Sequence, residues 1–179
     1  MHRGDSTIGV QTRARRDSGP QPMRALAVQV AGDVGHDHRA AREADGDDGF
    51  LVAWRQGGTT SAPATNDVRA ARVTRAGGRI DADGGVLLAT AATAITGGPS
   101  AAFDGTLWLV AWTESTTSGH DLKAVTVAAD ERRPTPAVIA QNVLAQEPAI
   151  SSTRDGRTLV GFTRDEGAYD SIRAVMVAP

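Results

Sequence analysis

The chain has no cysteine in its 179 residues. Disulfides, cysteine-ligated zinc and thiol nucleophiles are therefore excluded, while the redox state of the compartment is left open. Aromatic residues are scarce, with three Trp, three Phe and one Tyr, so each carries a large part of the packing surface. No apolar run approaches the roughly 20 residues of a membrane-spanning helix, and no membrane insertion is expected. A charge excess of one sign is missing too. The net charge is −2 and the pI about 6.1, which gives no reason to expect nucleic acid or an anionic membrane as partner. Long helical windows are also absent, because Gly57-Gly58, Gly77-Gly78, Gly84-Gly85, Gly97-Gly98-Pro99, Pro134, Pro136 and Pro148 punctuate the chain. Arg39 to Ala44 leaves room for one short helical turn and no more.

What is present is ordinary for a soluble globular chain: 40% hydrophobic and 22% charged residues. The length suffices for one domain with a real core. Residues 1–22 hold Arg3, Arg13, Arg15 and Arg16 among Gly, Ser, Thr and Asp. They lack the apolar middle of a secretory signal and read as a flexible tail. Residues 23–179 read as the structured part.

Two short patterns recur there. The first is apolar–basic–Ala–x–x–Val. It occurs as Met23-Arg24-Ala25-Leu26-Ala27-Val28, Val68-Arg69-Ala70-Ala71-Arg72-Val73, Leu122-Lys123-Ala124-Val125-Thr126-Val127 and Ile172-Arg173-Ala174-Val175-Met176-Val177. The second is Asp-Gly followed by an apolar run: Asp48-Gly49 before Phe50 to Trp54, Asp104-Gly105 before Trp108 to Trp112, and Asp155-Gly156 before Thr158 to Phe162. Leu-Val-Ala-Trp appears twice verbatim. The seven occurrences alternate strictly along the chain, which identifies a repeated unit rather than chance similarity.

Each pattern reads as a strand. Asp-Gly is a hairpin signal, since Gly takes positive φ without steric cost. The run after it is apolar at successive positions, as in a strand covered on both faces. Weaker strands complete a unit: Ser100–Phe103 and Ala149–Ser152 as first strands, Val86–Thr90 and Ala137–Gln141 as fourth strands. Four short strands in about 50 residues is the size of a propeller blade. The expected fold is thus all-β, with propeller-like blades of four antiparallel strands over Arg39–Thr90, Gly98–Gln141 and Glu147–Pro179. The last blade stops after its third strand. Closed propellers have about four to eight blades, so about three leave an incomplete ring.

Pro148-Ala149-Ile150-Ser151 with Arg154-Asp155-Gly156-Arg157-Thr158-Leu159-Val160-Gly161-Phe162 resembles the repeat of bacterial WD40-like propellers of the TolB type. Pro99 to Trp112 followed by Asp121 to Val127 is similar to repeats of long secreted bacterial proteins. The resemblance covers roughly Arg39 to Pro179. It implies a module that binds protein or glycan, and an extracytoplasmic location, although this chain shows no signal peptide.

Trp54, Trp112 and Phe162 share one repeat position, with Phe50 and Trp108 four residues before the first two, on the same face of their strands. Blade-to-blade packing is favoured over a sugar-stacking platform, because large aromatics suit a sheet-on-sheet core. Arg24, Arg69, Lys123 and Arg173 share a second position, with Asp67, Asp121 and Asp170 near three of them. Structural ion pairs are the simpler reading. A row of cations able to hold an anionic ligand is the sharper one, and it makes Arg69, Lys123 and Arg173 the candidate ligand contacts. Asp33, His36, Asp37 and His38 form a polar cluster without a third metal ligand at useful spacing. Asp45-Gly46-Asp47-Asp48-Gly49 lacks the ligand spacing of an EF-hand and reads as an acidic turn. Arg3-Gly4-Asp5 is a chance tripeptide. The sialidase-type Ser-x-Asp-x-Gly-x-Thr-Trp turn is not met, since Asp and Gly are adjacent in all three turns. Glu147, Asp165, Glu166 and Tyr169 supply acid–base groups with no spacing that marks a pair. No nucleophile elbow or phosphate loop occurs. No cofactor, metal or catalytic residue is expected. A binding or scaffold module for protein or carbohydrate is favoured over a propeller-type glycoside hydrolase or lyase fragment, or a gene fragment without independent function. Self-association is a further expectation, because open blade faces need cover.

Overall fold

A computed structural model describes residues 9–10, 26–27, 38–46, 49–57, 66–81, 84–91, 95–128 and 135–178. Among these residues the regular elements are all strands, with no helix. A short pair joins β1 (Gly9–Val10) to β2 (Leu26–Ala27). Sheet 1 is an antiparallel meander of β3 (His38–Gly46), β4 (Gly49–Gln56), β5 (Asn66–Thr74) and β6 (Val86–Ala91). Sheet 2 repeats it with β7 (Ile95–Phe103), β8 (Trp108–Thr116), β9 (Gly119–Val127) and β10 (Ala137–Gln141). Sheet 3 has β11 (Ala149–Thr153), β12 (Arg157–Asp165) and β13 (Asp170–Val177). The described sheets do not close on themselves.

The Asp-Gly turns form as the residue types require. Gly105 and Gly156 stand at φ of +105° and +87°, where a side chain would be strained. The Asp104 carboxylate accepts the N–H groups of Thr106 and Leu107 at 2.8 and 2.7 Å, closing the turn with its own side chain. Its carbonyl accepts the Gly156 N–H at 3.1 Å, so the turn of sheet 2 is tied to that of sheet 3. Asp45 and Gly46 end β3, and Gly46 pairs with Gly49 across the hairpin. Asp47 and Asp48 lie outside the described residues.

The sheets stack through apolar faces set by the strand period of two. Leu51, Ala53, Val68, Ala70 and Leu88 of sheet 1 meet Ala101, Val110, Trp112, Val125 and Val127 of sheet 2. The other face of sheet 2, with Leu109, Ala111, Leu122 and Ala124, meets Val160 and the partly buried Phe162, Val175 and Val177 of sheet 3. β8 is consequently buried on both faces, and the residues of β4 are buried at successive positions as well. Each fully buried Val, Leu or Ile contributes about 1.5–3 kcal/mol by transfer from water. The backbone of sheet 2 comes nearest its neighbours at β7, which approaches β3 and β4 of sheet 1 and β11 of sheet 3.

Two boundaries differ from expectation. Arg39–Ala44 is not a helical turn; it lies inside β3, with Arg39 opposite Arg55 and Ala44 opposite Leu51. Local helix propensity loses here because β4 is a buried strand whose edge must be paired. β7 begins at Ile95 rather than Ser100, with register shifts on both sides of Gly97. That irregular start is where the chain crosses between sheets, and the extended glycines there carry no apolar signal.

Candidate functional site: a repeated aromatic and cation pair

The strand register brings the two repeat positions together. Trp54 lies directly opposite Arg69, Trp112 opposite Lys123 and Phe162 opposite Arg173. Opposite residues of an antiparallel pair share a face, so each cation stands on the aromatic face of its own sheet. Trp112 packs into sheet 1 and Phe162 onto sheet 2. Trp54 and Trp112 are fully buried. Trp112 and Phe162 therefore pack sheets together, and the buried Trp54 presents no stacking platform to solvent either.

Each cation meets a carboxylate, and the position that supplies the carboxylate differs in each sheet. Arg69 binds Asp67 at 3.3 Å and donates to the Gly84 carbonyl at 2.9 Å. Lys123 binds Glu114 on the neighbouring strand at 3.0 Å. Arg173 binds Glu166 at 2.8 Å and donates to Ser171. Proximity in sequence pointed to Asp67, Asp121 and Asp170; only Asp67 is the partner. The reason lies two residues after each aromatic. That position is Gln56 in sheet 1, Glu114 in sheet 2 and Arg164 in sheet 3. Where it is Glu it takes the cation, and elsewhere another acid does. The Arg173 guanidinium, and then the Ser171 hydroxyl, hold the Glu166 carboxyl below its ordinary range. The Thr153 hydroxyl, with a smaller pull from Arg157, does the same for Asp155.

A second repeated feature carried no sequence signal. Arg55 and Thr113 each follow an aromatic, and each fastens the segment leading to the next sheet. Arg55 donates to the Ile95 carbonyl at 2.6 Å, and Thr113 to the Gln146 carbonyl at 3.1 Å. Their residue types differ, so only the repeat register could have revealed them. Nearby, His120 Nδ1 stands 3.4 Å from both Ser115 Oγ and Thr96 Oγ1. No carboxylate among the described residues orients this imidazole, so the group lacks the third member that activates a serine.

Of the other sequence candidates, Glu166 is committed to Arg173 and Ser171, and Asp165 accepts the Gly167 N–H at 2.7 Å. Tyr169 is exposed. Arg24, Asp33, His36, Asp37 and Arg3-Gly4-Asp5 lie outside the described residues, and His38 is described only as the start of β3. No group of three or more His, Asp or Glu among the described residues is placed to hold a metal ion. A shallow groove of about 550 Å³ runs along β10, lined by Val138, Ile139, Ala140, Gln141, Asn142 and Arg164. No helix among the described residues is long and apolar enough to cross a membrane.

The arrangement defines an all-β protein of stacked antiparallel sheets whose repeated polar position is an internal ion pair. Comparison with protein families, with curated proteins and with solved structures gave no match.

Proposed function

We propose that the chain is a non-catalytic binding or scaffold module whose sheets are β-propeller-type blades of the WD40-like kind, with protein or carbohydrate as ligand. The observation that carries this reading is the repeated sheet-on-sheet interface. The same positions face the same way in all three sheets, and the repeated polar side chains are engaged in ion pairs rather than gathered at one reacting centre. Repetition places equivalent groups in a row. Arg69, Lys123 and Arg173 are then the contacts for an acidic group, which must displace Asp67, Glu114 or Glu166 to bind them. Self-association that covers an open face belongs to the same reading.

A glycan and protein binding panel, probed with the wild-type chain and with Arg69→Ala/Lys123→Ala/Arg173→Ala, tests it. Binding of an anionic ligand that the triple variant loses supports both the module and its contacts. Binding that the triple variant keeps moves the site elsewhere. Turnover of glycosides by the wild-type chain would overturn the non-catalytic reading.

A further inference from the structure

Sheet 3 carries apolar side chains on the face turned away from sheet 2. Ile172 is 90% exposed, Met176 57% and Leu159 45%. The matching positions of sheet 2, Leu122 and Leu109, are buried against sheet 3. The outer face thus continues, in residue type, an interface that the molecule already makes twice. Cross-strand register fixes its layout. Met176 lies opposite Leu159, Ala174 opposite Gly161 and Ile172 opposite Thr163.

The charges on this face sit at its two ends. Arg157, opposite Thr153, marks one end. Asp165 and Asp170, directly opposite each other, mark the other. Two like charges directly opposite are destabilising, and neither aspartate is ion-paired with a cation among the described residues. A cation brought from outside would relieve them. A surface with an apolar centre, a cation at one end and two acids at the other matches itself when turned end for end.

We propose that the outer face of sheet 3 is a self-association surface on which a second copy of this chain stacks about a two-fold axis running across the strands. Ile172, Met176 and Leu159 of the two copies interleave, and Arg157 of each copy meets Asp165 and Asp170 of the other. The inference rests on reading the sheets as stacking repeat units. A two-fold contact of this kind uses one patch twice and closes at the dimer. Strands of five, nine and eight residues, at about 3.3 Å per residue and about 4.8 Å apart, present about 350 Å² a side. The total of about 700 Å² lies below the standard size of stable interfaces, so the dimer is weak and depends on concentration.

Sedimentation equilibrium of the full chain from about 10 μM to 1 mM tests the proposal. The expected result is a monomer–dimer equilibrium that weakens with salt. Ile172→Asp should weaken association at least about tenfold, since it buries an unpaired charge at the contact. Arg157→Asp should weaken it several-fold, and adding Asp170→Arg should recover most of that loss. A folded chain that stays monomeric at 1 mM overturns the proposal. So does a dimer indifferent to Ile172→Asp, a charge swap without recovery, or growth beyond the dimer. Near-ultraviolet circular dichroism and a thermal melt on the same samples separate the two readings. A cooperative transition in a monomer overturns the dimer alone, whereas no cooperative transition in the wild type overturns the stacked-sheet reading with it.

Discussion

Sheets 2 and 3 are written in nearly the same residues and meet different fates. Leu109 and Leu159 occupy one repeat position, as do Leu122 and Ile172. In sheet 2 both are buried, at 5% and 0% exposure; in sheet 3 they stand at 45% and 90%. Nothing in the strands accounts for this. The apolar pattern specifies a face that can stack, and the neighbour decides whether it does. In a stacked repeat, stability is therefore a property of interfaces as much as of units.

The comparison breaks or holds on paired substitutions. Leu109→Ala should cost about 2–5 kcal/mol, because it removes buried methyl groups and leaves a cavity between sheets. Leu159→Ala should stay within about 0.5 kcal/mol, as expected at an exposed site. Urea unfolding at a few micromolar, where the face is uncovered, measures both. Equal costs would mean that the outer face of sheet 3 is covered within the folded monomer.

Most of the strand layout was legible before the structure. The two patterns located β4, β5, β8, β9, β12 and β13, because short runs apolar at successive positions and Asp-Gly turns are local signals. Val86 to Thr90 and Ala137 to Gln141 were legible for the same reason. β3 was not, since Arg39 to Ala44 mixes Arg, Ala and Glu without strand period and is held by pairing with β4. The aromatic and cation pairs were legible as two separate rows. Their union required the register, which no single strand encodes. The acid partners of Lys123 and Arg173 were hidden for a similar reason: Glu114 reaches across from a neighbouring strand, and Glu166 stands in the turn before β13.

Glycine sharpens the contrast between the two interfaces. A Cβ built on Gly97 would lie 2.2 Å from the Gln146 carbonyl oxygen and 2.3 Å from Thr113 Oγ1. Gln146 belongs to the crossing from sheet 2 to sheet 3 and Thr113 of β8 is the residue that fastens it, so Gly97→Ala must push that segment away. A cost of about 1–3 kcal/mol follows, in the range of overpacked sites. Gly161 stands where sheets 1 and 2 carry Ala53 and Ala111. A Cβ there meets nothing closer than 3.8 Å. Gly161→Ala should therefore stabilise by about 0.5–1 kcal/mol, through the smaller entropy loss of Ala in a strand. Thermal melts of the two variants should move in opposite directions. A shared direction would mean that the crossing at Gly97 is looser than its contacts imply.

The smallest effect concerns the ion pair that sheet 3 leaves at the surface. The folded Glu166 carboxyl titrates below its ordinary range because Arg173 and Ser171 hold its charged form. Between about pH 5 and pH 3 the unfolded chain then binds more protons at this site than the folded one. The stabilisation is fully present above the ordinary glutamate range and is lost as pH falls through the depressed folded value. Glu166→Gln removes this contribution, so the variant should be less stable than the wild type at pH 7 and match it near pH 3. Asp155, held down by Thr153, adds a loss of the same sign, and it remains in the variant. The slope for Glu166→Gln should therefore be shallower than that of the wild type without vanishing. Urea midpoints across this pH range read the difference directly. A gap between the two proteins that stays constant from pH 7 to pH 3 would show that Glu166 acts through packing and not through its charge.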